Sequence, residues 1–141
     1  MTESEANFPF NHTGKFHITS AGFGGPVLNA LLSVPHNSSS VTGHGLLTQA
    51  THPPLNAETH FQGLVHVVGL PPGPMRQVYA VQGMSSGPGM PFVSNLIITL
   101  DGIWGSEGKA SYTYVTSVGT QHPVKHMVEN ATVSVKWLLQ E

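Results

Sequence analysis

Val41-Thr42-Gly43-His44, Phe61-Gln62-Gly63-Leu64, Val81-Gln82-Gly83-Met84 and Leu100-Asp101-Gly102-Ile103 are four versions of one phrase: an apolar residue, a polar acceptor, a glycine and a longer side chain. Their glycines stand at 43, 63, 83 and 102, in steps of 20, 20 and 19 residues. Most of the phrases sit among β-branched and aromatic residues, the composition of strands. A glycine inside a strand marks a bend or the close approach of another backbone. Bends at one level of successive strands let a sheet curl. The recurrence therefore predicts long strands following a curved sheet. Asp101-Gly102 is also a strong hairpin signal, but the 20-residue recurrence favours Gly102 as a fourth mid-strand glycine.

Outward from this core, prolines and glycines cut the chain into eight strand-like segments, at residues 15–21, 27–34, 41–50, 59–69, 76–84, 95–104, 109–118 and 129–138. Alternation assigns their faces. Phe16 and Ile18 oppose His17 and Thr19; Phe61, Val65 and Val67 oppose His60, Gln62 and His66. Leu96, Ile98, Leu100 and Trp104 share a face, as do Val133, Val135 and Trp137. No connection is long enough to hold a crossover helix, so neighbouring strands run antiparallel. The predicted fold is all-β, an eight-stranded antiparallel up-and-down barrel, with a two-sheet β-sandwich as the alternative. Residues 1–14 read as a loose N-terminal arm and residues 15–141 as a single β domain.

Composition supports an all-β reading and removes several functions. Charged residues make up 9% of the chain, while Gly (16) and Pro (11) are plentiful. Five Lys and Arg against seven Asp and Glu give a formal charge of −2. No two basic residues are adjacent, so no patch for a nucleic-acid backbone can be read. The absence of cysteine excludes disulfides, thiol catalysis and thiolate metal sites. The N-terminus is acidic and lacks a signal-peptide pattern. No run approaches the ~18 apolar residues of a membrane helix. The expectation is a cytoplasmic protein without membrane insertion.

The phrases Gly24-Gly25-Pro26-Val27-Leu28, Thr42-Gly43-His44-Gly45, Gln49-Ala50-Thr51-His52-Pro53-Pro54-Leu55 and Phe61-Gln62-Gly63-Leu64-Val65-His66 carry a resemblance. Between Phe16 and Trp137 the chain resembles a small family of uncharacterised bacterial proteins. The resemblance implies bacterial origin and no particular activity.

Histidine is the compositional anomaly, with nine in 141 residues. His36, His44, His52 and His60 are eight residues apart, a spacing that no metal motif uses. His60 and His66 share a strand face but stand ~20 Å apart, too far for one metal, although His17 or His44 on a neighbouring strand can approach either. The expected cofactor and metal complement is none. Few carboxylates lie beyond the arm, and Asp101 reads as a turn or bulge residue. No Gly-x-Ser-x-Gly elbow occurs.

Trp104, Tyr112, Tyr114 and Trp137 cluster in the last three strands. They read as a core wall and plug, or else as the floor of a ligand site in a barrel lumen. Candidate binding residues are Tyr112, Tyr114, Trp104, His60 and His66; no catalytic residue is assigned. The leading function is a non-enzymatic binding or interaction module on a curved antiparallel sheet. Its partner would be an apolar small molecule or a protein. Alternatives are a barrel enzyme of isomerase or cyclase type working on an apolar substrate, and an assembly protein that pairs through a strand edge. An apolar lumen filled with side chains would remove both lumen readings and leave the outer surface.

Overall fold

A computed structural model describes residues 12–20, 24–51, 54–69 and 73–139. Eight strands follow one another: β1 (His12–Thr19), β2 (Val27–Val34), β3 (Ser40–Gln49), β4 (Leu55–Val68), β5 (Arg76–Ser85), β6 (Phe92–Leu100), β7 (Glu107–Thr116) and β8 (Val124–Leu139). Each pairs antiparallel with the next, and β8 pairs antiparallel with β1, so the sheet closes into an up-and-down barrel. The barrel, not the sandwich, is the architecture. Most of the predicted arm lies outside the described residues.

Alternation turns one face of every strand into the lumen. Phe16, Ile18, Leu28, Leu32, Leu47, Phe61, Val65, Tyr79, Val81, Leu96, Ile98, Leu100, Tyr112 and Val133 are buried in a single cluster. Val67 and Trp137 pack against it partly buried. His60, Gln62 and His66 are exposed on the other face of β4. Leu64 and Val68 lie on that outer face as well, at 45% and 46% exposure.

Three of the four phrase glycines are mid-strand, and each faces inward where a neighbouring main chain comes close. In register, Gly43 and Gly83 flank Phe61, while Gly63 lies between Val41 and Val81. A Cβ on Gly43, Gly63 or Gly83 would collide with the carbonyl oxygen of Leu31, Ala80 or Val93 respectively. The sheet coils tightly enough at these points to exclude a side chain.

Gly102 is the exception and corrects the sequence reading. β6 ends at Leu100, and Gly102 takes a φ of +104° in the turn that follows. The Asp101 amide donates to Glu107 O at 2.9 Å, and Arg76 pairs with Asp101 at 3.3 Å. The position opposite Leu100 goes to Gly108 of β7, whose absent Cβ would meet Thr99 O. The fourth close approach thus exists, but a residue of the next strand makes it, and the local turn chemistry of Asp-Gly prevails over the spacing.

Trp104 is consequently a turn residue rather than an extension of β6. It adopts a φ of +60°, an unfavourable conformation for a bulky side chain. The half-buried indole is packed edge-on against His12 at 4.7 Å and Trp137 at 5.0 Å. Burying that aromatic surface offsets the backbone strain.

β8 begins earlier than its apolar pattern suggests. Its register against β7 slips between Ala110 and Tyr112, and Asn130 has a φ of +59°. This bulge reverses the inward phase. His126 and Val128 are half-buried before it, and Ala131, Val133 and Val135 are buried after it.

Candidate functional site

The structure distributes the five candidate binding residues over three places. Tyr112 and Tyr114 are inward and buried, at 2% and 7% exposure. Their rings lie 6.2 Å apart, and Tyr114 stacks on His126 at 4.6 Å. His126 in turn meets Thr116 Oγ1 through Nε2 at 2.9 Å. Trp104 plugs the opposite end of the barrel. His60 and His66 point outward, away from the lumen. The aromatics and the histidines therefore do not form one site, and neither histidine serves a lumen chemistry.

The plugged end holds a buried polar network. Gln77 Nε2 donates to the Tyr79 hydroxyl at 2.7 Å, and Gln77 Oε1 accepts from the Trp104 amide at 2.8 Å. His12 Nε2 lies 3.2 Å from the same hydroxyl, and Trp137 Nε1 donates to Gly105 O at 3.2 Å. These bonds tie the turn after β6 to the inner wall. They satisfy the polar atoms whose burial is otherwise costly.

Burial pushes the Tyr79 hydroxyl well above the ordinary tyrosine range, with the Gln77 hydrogen bond opposing. Burial also raises Tyr112, helped by Tyr114 close by, and raises Tyr114 itself. These three are all the tyrosines of the chain. An unfolded tyrosine releases its proton near pH 10. The native state retains its phenol protons above that pH while the unfolded chain loses them, so stability is complete below about pH 10 and falls as pH rises beyond it. In an alkaline titration, phenolate absorbance should lag behind that of free tyrosine and then rise together with loss of the β circular dichroism signal. Three phenolates appearing near pH 10 in a still-folded chain would contradict this burial.

A groove of about 730 Å³ lies on the outside of the barrel. Two cross-strand rows line it, and strand register alone sets their order. One row runs Lys136, Lys15, Leu31, His44, His60 from β8 through β1, β2 and β3 to β4. The other runs Ser134, His17, Asn29, Leu46, Glu58 over the same strands. Side chains directly opposite on adjacent strands stand about 4.5–5.5 Å apart at Cβ. Lys15 therefore sits beside Lys136, and His44 beside His60.

Asn29 fixes one histidine. Its Oδ1 accepts from His17 Nδ1 at 2.7 Å. That bond places the proton of neutral His17 on Nδ1 and leaves Nε2 as an acceptor. Among the described residues no group of three or more metal-ligating side chains comes together.

A second outer groove, about 610 Å³, runs over β3, β4 and β5. Thr42, Gln62 and Gln82 form a cross-strand ladder there, with His66, Leu64 and Met84 beside them. His66 thus belongs to an uncharged amide-and-hydroxyl surface, while His60 belongs to the charged groove.

Sequence reasoning saw that His17 or His44 can approach His60 but missed Lys15, Lys136, Asn29 and Glu58. A signal for the His44–His60 pair was present. The Gln49–Leu55 pairing centres the β3–β4 hairpin on residue 52, so residues eight before and eight after it must face each other. No comparable signal marks Lys15 and Lys136, which meet only because β8 closes on β1.

Among the described residues no helix is long and apolar enough to cross a membrane. No curated protein matches the sequence. Residues 11–119, from the start of β1 through β7 and the turn beyond it, match a domain of unknown function, DUF1842. The match spans well over half of the chain, which therefore belongs to the DUF1842 family.

Proposed function

We propose that this chain is a non-enzymatic binding module of the bacterial cytoplasm that takes its partner on the outer face of the barrel. The observation that carries this reading is the division of the molecule into a lumen packed with apolar and aromatic side chains and an outer groove that gathers two lysines, three histidines and a glutamate. A packed lumen gives the isomerase or cyclase alternative no chamber. Closure of β8 on β1 removes the free strand edges that an assembly protein would use. The groove volume falls in the range of small-molecule sites, about 300–1,000 Å³. A lumen packed with apolar side chains is the reverse of the polar interior of a lipid-embedded barrel, which supports water around it.

A thermal-shift screen of small molecules on the whole chain tests this. A ligand at about 100 times its dissociation constant adds about 2.7 kcal/mol of stability. Asn29 is exposed at the centre of the groove, so Asn29→Trp should fill the groove and leave the fold intact. Stabilising compounds should lose their effect on Asn29→Trp. Compounds that stabilise both proteins equally would place binding elsewhere and contradict the reading.

A further inference from the structure

The groove has a chemical polarity along its length. Lys15 and Lys136 are direct cross-strand partners and both are exposed. Like charges directly opposite each other destabilise a sheet. Among the described residues no carboxylate lies within ion-pair distance of either lysine; Arg76, elsewhere, pairs with Asp101. Glu107 approaches from β7, but its partner in register is Ser134 rather than Lys136. Only five residues of the chain are Lys or Arg, and two of them are spent on an unfavourable juxtaposition. Departures from local rules of this kind collect at functional sites.

We propose that the groove binds a small amphipathic anion, with a carboxylate or phosphate head between Lys15 and Lys136. The proposal rests on the outer-face binding read above and names its ligand class. Leu31 follows Lys15 on β2, beside Asn29, and Leu46 follows Asn29 on β3, so two leucines lie diagonally across the middle of the groove. His44 stands beside Leu46 on β3, and His60 and Glu58 stand beyond them on β4. Adjacent strands are about 4.8 Å apart, so Lys15 on β1 and His60 on β4 are separated by three spacings, about 14 Å. The ligand therefore has an oxyanion head, an apolar body of about 10 Å, and a far end that is neutral, because Glu58 repels a second anion there. Two lysines act on the head as hydrogen-bonding point charges, and His17 borders the same end.

The experiment is an NMR titration of the ¹⁵N-labelled full chain with octanoate and, separately, octyl phosphate, against neutral 1-octanol. Comparing the two anions distinguishes a carboxylate head from a phosphate head. The expected result is saturable shifts at residues 15, 31, 44 and 136 for at least one anion, with 1-octanol binding at least tenfold more weakly. Lys15→Gln/Lys136→Gln should bind that anion at least tenfold more weakly, while Lys109→Gln, a lysine outside the groove, should bind it unchanged. Equal binding of anion and alcohol, no effect of the double substitution, or no saturable shift at millimolar concentration would overturn the proposal. In any of these cases neutral screening hits that Asn29→Trp abolishes would still support the groove as a binding site, so the two readings fail separately.

Discussion

Replacing Gly63 by alanine will destabilise the barrel, and replacing it by valine will do so by about 3 kcal/mol or more. The sign is the informative part. In an unstrained position, Gly→Ala stabilises by about 0.4–1 kcal/mol because the unfolded chain loses freedom, and valine is among the best strand formers. At Gly63 both advantages are overridden. The added Cβ would strike Ala80 O and approach Val81 Cα to 2.6 Å, so the main chain of β5 would have to move. That main chain belongs to the ladder closing the barrel, and shifting it disturbs the register on both sides. Urea unfolding of the two variants checks this. A neutral or stabilising Gly63→Val would make Gly63 an ordinary strand position, and close backbone approach would no longer explain the curl.

Leu100→Ala should cost about 2–5 kcal/mol. Leu100 is fully buried at the last position of β6, opposite Gly108 and beneath the turn that carries Trp104. Because glycine stands opposite on β7, that side offers no side chain to fill the space that the leucine leaves. The loss therefore combines the transfer term with an uncollapsed cavity, towards the upper part of that range. A change below about 1 kcal/mol in the urea midpoint analysis would mean that the inward phase of β6 is displaced by one residue, which would reverse every side chain on the strand.

What the sequence made legible was local, and what it hid depended on contacts between distant segments. Alternation in β1, β4 and β6 put Phe16, Val65 and Ile98 inside and His17, His60 and His66 outside. It worked because one face of each strand is packed against the core. Alternation failed where the chain breaks its own period. The bulge at Asn130 shifts the phase within β8, so the first part of that strand, from Val124, carried no readable pattern. Gly102 shows a second kind of failure. The spacing of four glycines reflected a real level of close approach, but Asp101-Gly102 had its own turn preference, and Gly108 took the place in the next strand.

The candidate site was less legible than the fold for the same physical reason. Tyr112 and Tyr114 were singled out for their hydroxyls, yet their rings were needed to fill the lumen. The groove is assembled from pairs of outward residues on five strands, and none of those pairs forms a motif with a recognised chemistry. Lys15 and Lys136 are separated by nearly the whole chain and become neighbours only through the β1–β8 seam. His44 and His60 were readable because a short hairpin joins them.

Binding on the outside of a filled barrel is the central claim, and the footprint of a bound compound tests it most directly. The tightest stabilising compound from the screen should be titrated into the ¹⁵N- and methyl-labelled chain. Shifts should concentrate on the amides of residues 15, 17, 29, 31, 44 and 60, with the inward methyls of Leu96, Ile98 and Val133 unmoved. A footprint centred on those inward methyls and on the rings of Phe61 and Tyr112 would show a ligand inside the lumen and contradict outer-face binding.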